Sequence, residues 1–437
     1  MVTEKPRKEL WMLSLEEKIE LRWISILEAK RVMEDKKRDR KSICMPIYSY
    51  YPFDPRVRRA ASALLDKGYN IDVICLRGRD EKKFDVHNGV NIYRVPLEHI
   101  RGGYLRYLYN YGMFFLLSFL MLNSLDRKKN YNVVHVHSLP DFLVFITLFQ
   151  RRKKKKIVLD LHEAMPEIFA ARFNKDMGST LVKIPIFLEK ISIAFASHII
   201  TVNNTIKELY INRGVPEKKI TVIMNSPDEK LSSLKDLKEF KMKFNLDDKF
   251  VLVYVGGINY ERNLEVILNA MSKIKHDIPN LFFIIFGHMY GQKGRSYKES
   301  LTNLVEQLGL KDSVYIGGKV NPEEVSSYLD LSDFGIVSYI RNPLTDVAVP
   351  NKIFEYIALN KPIIVVNLKA LHSLMGDDAT IYYKPEDSDD LAQRIKWLFN
   401  HKNDLMGMNQ NAQKVYEECK WEVMKARLLR MYENLIS

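Results

Sequence analysis

Short, almost uninterrupted runs of Val, Ile and Leu, each separated from the next by a helix-length stretch, set the fold class of this chain. Residues 42–47, 70–76, 90–95, 133–137, 157–162, 198–202 and 220–223 are such runs. The series restarts at Phe250 and continues through residues 281–286, 313–316, 334–339 and 363–366. A strand that is apolar on both faces must be covered on both, which is the condition of a parallel sheet with helices on either side. The expectation is α/β: two Rossmann-like, doubly wound parallel-sheet domains with a ligand cleft facing the C-terminal ends of the strands. A length of 437 residues also exceeds one ordinary core. The expected division is 1–41 as a charged N-terminal helical extension, 42–230 as the first domain, 231–420 as the second and 421–437 as a C-terminal helix placed to cross back to the first. In the extension, Ser14 and Glu17 make a capping box, and Leu15, Ile19, Trp23 and Ile26 share one face. The sequence leaves open whether that face meets the body, a partner or a membrane surface.

The net charge of +13 is distributed unevenly. Residues 1–230 carry 41 Lys and Arg against 27 Asp and Glu, whereas residues 231–437 carry 26 against 27. The excess positive charge lies in the first half, and its densest run is Arg151 to Lys156. An anionic membrane surface or lipid phosphate is the partner this implies. No module with basic residues and interleaved aromatics points to nucleic acid. Cys44, Cys75 and Cys419 are far apart and form neither a metal spacing nor a disulfide framework. With a charged N-terminus lacking an apolar stretch, this suggests a cytoplasmic location, peripheral to the inner face of the cell membrane. Residues 107–125 hold no charge and reach the lower limit of a membrane span. Asn110, Gly112, Ser118, Asn123 and Ser124 interrupt them, which favours a helix that is buried or lies in the interface.

Candidate chemistry gathers in the second half. Pro350 suits the first turn of a helix, Lys352 follows it, and Glu355 falls one turn on, near the same face. Such a helix end, with Asn351 and Ile353 beside it, suits a phosphate, and Glu355 suits sugar hydroxyls. Gly256 and Gly257 end a strand and let backbone approach an anion, and Arg262 follows in the loop. In the first half, His162 ends a strand at the expected cleft, where an imidazole can bond a hydroxyl or exchange a proton. His135 and His137 share a strand face, but no third metal ligand is evident, so packing is expected and no metal. Asp387, Asp389 and Asp390 stand before an apolar-periodic run, where helix capping accounts for them. Residues 287–293 lack the spacing of a P-loop.

Taken together, these segments resemble the retaining glycosyltransferases of family 4, which have the GT-B fold. The resemblance is carried by Asp54-Pro55-Arg56-Val57-Arg58-Arg59, by Val134-His135-Val136-His137, by Asp160-Leu161-His162-Glu163 with Pro166-Glu167, and by Asn225 with Pro227-Asp228. Pro350-Asn351-Lys352-Ile353-Phe354-Glu355-Tyr356 and Trp421 with Tyr432 complete it. It implies a UDP-, GDP- or ADP-sugar donor on the second domain and a glycan or lipid-linked acceptor on the first, with no metal or other cofactor. It also implies roles for Glu355 at ribose or sugar hydroxyls, for Arg262 at the diphosphate and for His162 beside the transferred sugar. The first glutamate of the family's paired motif falls on Val347, with Asp346 adjacent but not equivalent. The usual Gly-rich turn is replaced by Gly287-His288-Met289-Tyr290. A sugar-nucleotide epimerase of the same fold and an inactive binding subunit are the alternatives.

Overall fold

The computed structural model describes residues 40–98, 104–226, 235–288 and 291–436. The expected N-terminal helix, Pro227, Asp228, Met289 and Tyr290 lie outside them. The described residues form two compact units, the first ending at Val134 and the second beginning at His135. Residue 231, the boundary expected from the sequence, lies in the second unit's numbering range.

In the first unit, strands β1 (Ser42–Pro46), β2 (Asn70–Leu76), β3 (Phe84–His87) and β4 (Val90–Val95) run in the order β3-β4-β2-β1. Parallel register pairs Ser42 with Asn70 and Asp72 with Asn91. β3 was not expected: its side chains are mostly exposed, so it has no apolar run to betray it. It is the antiparallel arm of a hairpin turned at Asn88-Gly89, both at positive φ, and that Asn-Gly pair was the readable signal. The helix Pro55–Asp66 opens on Asp54, whose Oδ1 accepts from the Arg56 and Val57 amides at 3.1 and 3.2 Å. Residues 107–125 form most of the helix Tyr104–Lys129. Asn110, Phe114, Ser118, Leu122 and Asp126, one turn apart, are its buried stripe, while Tyr109, Leu116 and Leu120 are exposed. No described helix is long and apolar enough to cross a membrane.

The second unit contains the end of β5 (Val133–His137), then the parallel series β6 (Lys156–Leu161), β7 (His198–Thr201) and β8 (Ile220–Val222). The helix Trp421–Ile436 packs on β8. Beyond it stand β9 (Phe250–Gly257), β10 (Leu281–His288), β11 (Val314–Ile316), β12 (Gly335–Val337), β13 (Ile363–Val366) and β14 (Ile381–Tyr383). They form two parallel three-stranded sheets, β11-β10-β9 and β12-β13-β14, joined by a parallel bridge from Leu252 to Phe334. The strand order is thus three-two-one-four-five-six, and it reverses between β9 and β12. Ligands bind at such a switch point, outside the carboxyl ends of the two strands. Close packing here rests on small residues: a Cβ on Gly287 would lie 2.2 Å from the Gly256 carbonyl oxygen, and one on Gly335 2.5 Å from the Tyr356 ring.

Candidate functional site

A cavity of about 480 Å³ opens at this switch point, within the size range of small-molecule sites. Gly256 and Gly257 from the end of β9, Arg262, and Pro350, Asn351, Lys352 and Glu355 all line it. Sequence reasoning set Gly256, Gly257 and Arg262 as a second wall of the anion site at the Pro350 helix, and in the structure they line one cavity with it. Ile353 differs: its side chain is fully buried, and its amide donates to the Pro350 carbonyl at 3.3 Å. It is core rather than cavity wall, because the first turn directs residues 353, 354, 356 and 357 inward. The helix itself begins at Lys352 rather than Pro350, with Asn351 as its cap and no side-chain capping bond. It has seven residues, so side-chain charge dominates over any macrodipole.

Each polar wall residue is positioned by a neighbour. Arg262 ends a 3₁₀ turn, Tyr260–Arg262, whose last carbonyl accepts from Ser338 Oγ at 2.8 Å. Its guanidinium lies 4.7 Å from the centre of the Tyr339 ring. Lys352 Nζ donates to the Val255 carbonyl, lies 4.8 Å from the centre of the Tyr254 ring and sits 3.6 Å from Glu355 Oε2. Burial lowers the Lys352 pKa; Glu355 opposes this and Arg262 adds to it. An arriving anion would favour its charged form. Tyr356 anchors the helix from behind, its hydroxyl donating to the Val253 carbonyl at 2.5 Å. Two buried polar atoms of the wall have no hydrogen-bond partner: Arg262 Nε and Glu355 Oε2. A buried donor and acceptor left unsatisfied on one cavity are costly unless a ligand completes them.

The neighbourhood of Val347 is closed instead. Its carbonyl accepts from Asn203 Nδ2 at 2.8 Å, and the adjacent Asp346 carboxylate is engaged by Arg341 at 3.3 Å. Sequence reasoning missed Glu163, Asn225, Tyr254, Glu261 and Tyr339 as cavity residues. Glu163 was one residue from a named candidate.

His162 belongs to a second group. Its Nε2 lies 3.4 Å from Asp160 Oδ2 and 3.2 Å from His137 Nδ1. The same carboxylate oxygen is 3.1 Å from His137 Nδ1 and 3.6 Å from His135 Nε2. The Tyr432 hydroxyl, from the C-terminal helix, bonds His135 Nδ1 at 2.8 Å. Three imidazoles therefore surround one buried carboxylate. Burial alone would raise the Asp160 pKa, but the His162 imidazole and hydrogen bonds from all three rings outweigh it and hold the carboxyl well below its usual range. Burial, and His135 beside it, push His137 down to about 3 against the pull of Asp160, so His137 is neutral near neutral pH. The expectation that no third candidate metal ligand stands with His135 and His137 is corrected by Asp160. The three offer ligand atoms within 4.8 Å of one another. The signal was available, since Asp160 on β6 and His162 just past its end stand two residues apart, as His135 and His137 do on β5. Asp387 is a helix cap as expected, its Oδ1 accepting from the Asp389 and Asp390 amides at 3.0 and 2.9 Å.

The sequence model described as Glycosyl transferases group 1 matches residues 236–415, and that described as Glycosyltransferase Family 4 matches residues 56–230. An uncharacterised glycosyltransferase of Methanocaldococcus jannaschii is 23% identical over 388 residues, which are 85% of this chain and 92% of the relative. Among solved structures, sucrose-phosphate synthase from Thermosynechococcus elongatus superposes with a TM-score of 0.71 at 16% identity, covering 91% of this chain and 99% of that one. The Anabaena protein HepE in complex with UDP and glucose superposes at 0.65 with 14% identity, covering 90% and 100%.

Proposed function

Because this chain belongs to the group 1, family 4 glycosyltransferases and has their GT-B fold, we propose that its cavity holds a nucleotide-diphosphate sugar whose glycosyl group it transfers with retention to a glycan or lipid-linked acceptor. The observation that supports this best is the pairing of Arg262 Nε and Glu355 Oε2, both buried, unsatisfied and on one cavity wall. The diphosphate completes the arginine, and a ribose or sugar hydroxyl completes the glutamate. In this reading residues 42–230 are the acceptor domain and residues 231–420 the donor domain. UDP is the first donor nucleotide to try, since a neighbour of the same fold was solved with it.

Transfer breaks the bond between the sugar's anomeric carbon and the diphosphate oxygen through an oxocarbenium-like state. Negative charge grows on the departing diphosphate. Arg262 and Lys352, fixed before the reaction by Tyr339 and Val255, stabilise that charge without reorganising. The acceptor hydroxyl attacks the anomeric carbon from the face the diphosphate leaves, and its proton passes to the departing phosphate oxygen. His162, oriented by Asp160, bonds a hydroxyl of the transferred sugar. The reaction needs no protein nucleophile, metal or other cofactor. The products suit surface polysaccharide or glycolipid synthesis, and the basic first half suits work at the inner face of the cell membrane.

The test is thermal stabilisation of the purified chain by UDP, GDP and ADP and by their sugar conjugates. A ligand at a hundred times its dissociation constant raises stability by about 2.7 kcal/mol, a measurable shift. One responding nucleotide supports the reading and identifies the base. No shift with any, in folded protein, defeats it.

A further inference from the structure

We propose that the outer face of the helix Thr180–Phe195, with the basic run beside its C-terminal end, is a docking surface for an anionic lipid bilayer. The helix buries Val182, Pro185, Glu189, Ser192 and Ile193. On its outer side Leu181, Ile184 and Phe187 are 53%, 61% and 61% exposed, three residues apart and therefore neighbours on the helix surface. A soluble surface rarely spends three large apolar side chains on one short stripe. Lys183 and Lys190 are exposed beside them and can lay their stems along the stripe with the amines outward.

Charge identifies the occupant. The one acid of this helix, Glu189, is turned inward and paired with Arg213 at 2.6 Å. The same guanidinium neutralises the buried Glu167 of the preceding helix. Glu189 and Glu167 are thus drawn into the core, and Lys183 and Lys190 leave the outer side of the helix apolar and cationic, Asp176 being an exposed acid just before its N-terminal end. At the helix's C-terminal end Phe195 meets the Phe145 ring at 5.1 Å, and the Arg151 guanidinium lies 6.0 Å from the centre of the Phe195 ring. Arg151 opens the six-residue basic run, in which Arg151, Arg152, Lys154 and Lys156 are exposed. Phe149, 43% exposed, adds a further apolar group there. An apolar protein groove would leave this run of cations unmatched, whereas an anionic bilayer takes the apolar stripe into its interface and the cations onto its headgroups. With 16 residues the helix spans roughly 24 Å, and it lies along the surface rather than across it.

The proposal does not depend on the nucleotide site. The experiment is sedimentation of the full chain with phosphatidylcholine–phosphatidylglycerol vesicles and with phosphatidylcholine vesicles, at low and high salt. Wild type should bind the mixed vesicles, weakly the neutral ones, and less as salt rises. Ile184→Ser with Phe187→Ser should weaken binding at least about tenfold, from the lost apolar burial. Lys154→Glu with Lys190→Glu should weaken it comparably at low salt. Both pairs are exposed, so melting temperature and stabilisation by nucleotide should stay as in wild type, which separates failure here from failure of the donor site. Leu116→Ser with Leu120→Ser, on the exposed side of the Tyr104–Lys129 helix, is the competing surface. No binding by wild type, equal binding to neutral vesicles, or loss in the Leu116/Leu120 variant but not in Ile184/Phe187 overturns the proposal.

Discussion

Replacing Glu355 by Gln should separate activity from stability. In the free protein Oε2 accepts no hydrogen bond, and its ionic partner, Lys352 Nζ, is 3.6 Å away. The side chain is 34% exposed, so that ion pair is partly screened and contributes at most about 1 kcal/mol. Loss of the charge should therefore lower the melting temperature by no more than roughly 4 °C. In the complex, Oε2 would accept from a sugar or ribose hydroxyl, and a hydrogen bond to a charged group contributes about 1.5–3 kcal/mol. The expected loss in kcat/KM is then about tenfold to a hundredfold or more. Glu355→Asp, which withdraws the carboxylate by one methylene, should lose a similar amount with the charge retained. The assays are initial transfer rates at varied donor concentration and a thermal melt of each variant. If Gln at 355 keeps full activity, or if rates fall only in step with a large drop in melting temperature, Glu355 is a structural partner of Lys352 and the site is misassigned.

Three further outcomes are expected. Arg262→Lys replaces a fork that stacks on Tyr339 by a point charge, so calorimetry should find nucleoside diphosphate bound about tenfold or more weakly; an unchanged affinity would place the diphosphate elsewhere. Asp160→Asn keeps the shape but removes the carboxylate charge that orients His162, so kcat should fall more than donor KM changes; an unchanged kcat would mean Asp160 is only packing. Burial raises Asp141 from 3.8 to about 7, so between those values the folded chain holds a proton that the unfolded chain has released, and stability falls as pH rises, by up to about 1.4 kcal/mol per unit. Glu189, pushed up to about 8 by burial despite Arg213, has the same sign. Asp141→Asn should flatten the lower part of that decline in denaturant titrations; an unchanged slope would show that Asp141 is ionised in the folded chain.

The parallel sheets were readable because burial on both faces forces a composition that needs no partner to interpret. β13, for example, occupies residues 363–366 as expected. What escaped was set by contacts distant in sequence. β3 has no apolar pattern because its faces are mostly exposed. Asp160 looked like one polar residue in a strand until β6 lay beside β5, 23 residues away in the chain. Ile353 was read as a ligand contact because its neighbours are. The helix phase that puts Lys352 and Glu355 on the cavity puts Ile353 in the core.

The two polar groups of the second unit both leave buried polar atoms without a hydrogen-bond partner, and they differ in access: one is buried behind His162, the other lines a cavity. Around Asp160 three imidazoles share one carboxylate oxygen, Oδ2, and the Tyr432 hydroxyl bonds His135 Nδ1, while Asp160 Oδ1 and His137 Nε2 are buried without a hydrogen-bond partner. His135 and His137 are fully buried, so this group meets solvent through His162, the most exposed of the three imidazoles, whose ring Asp160 and His137 hold in place. At the nucleotide cavity the protein fixes the backbone and the aromatic neighbours but leaves Arg262 Nε and Glu355 Oε2 incomplete. Desolvation there is borne by the free protein in advance, so a diphosphate sugar that satisfies both atoms gains their full interaction. A diphosphate without its sugar would satisfy the arginine and leave the glutamate to water. The intact donor should therefore bind more tightly than the free nucleotide diphosphate, and that preference should vanish in Glu355→Gln.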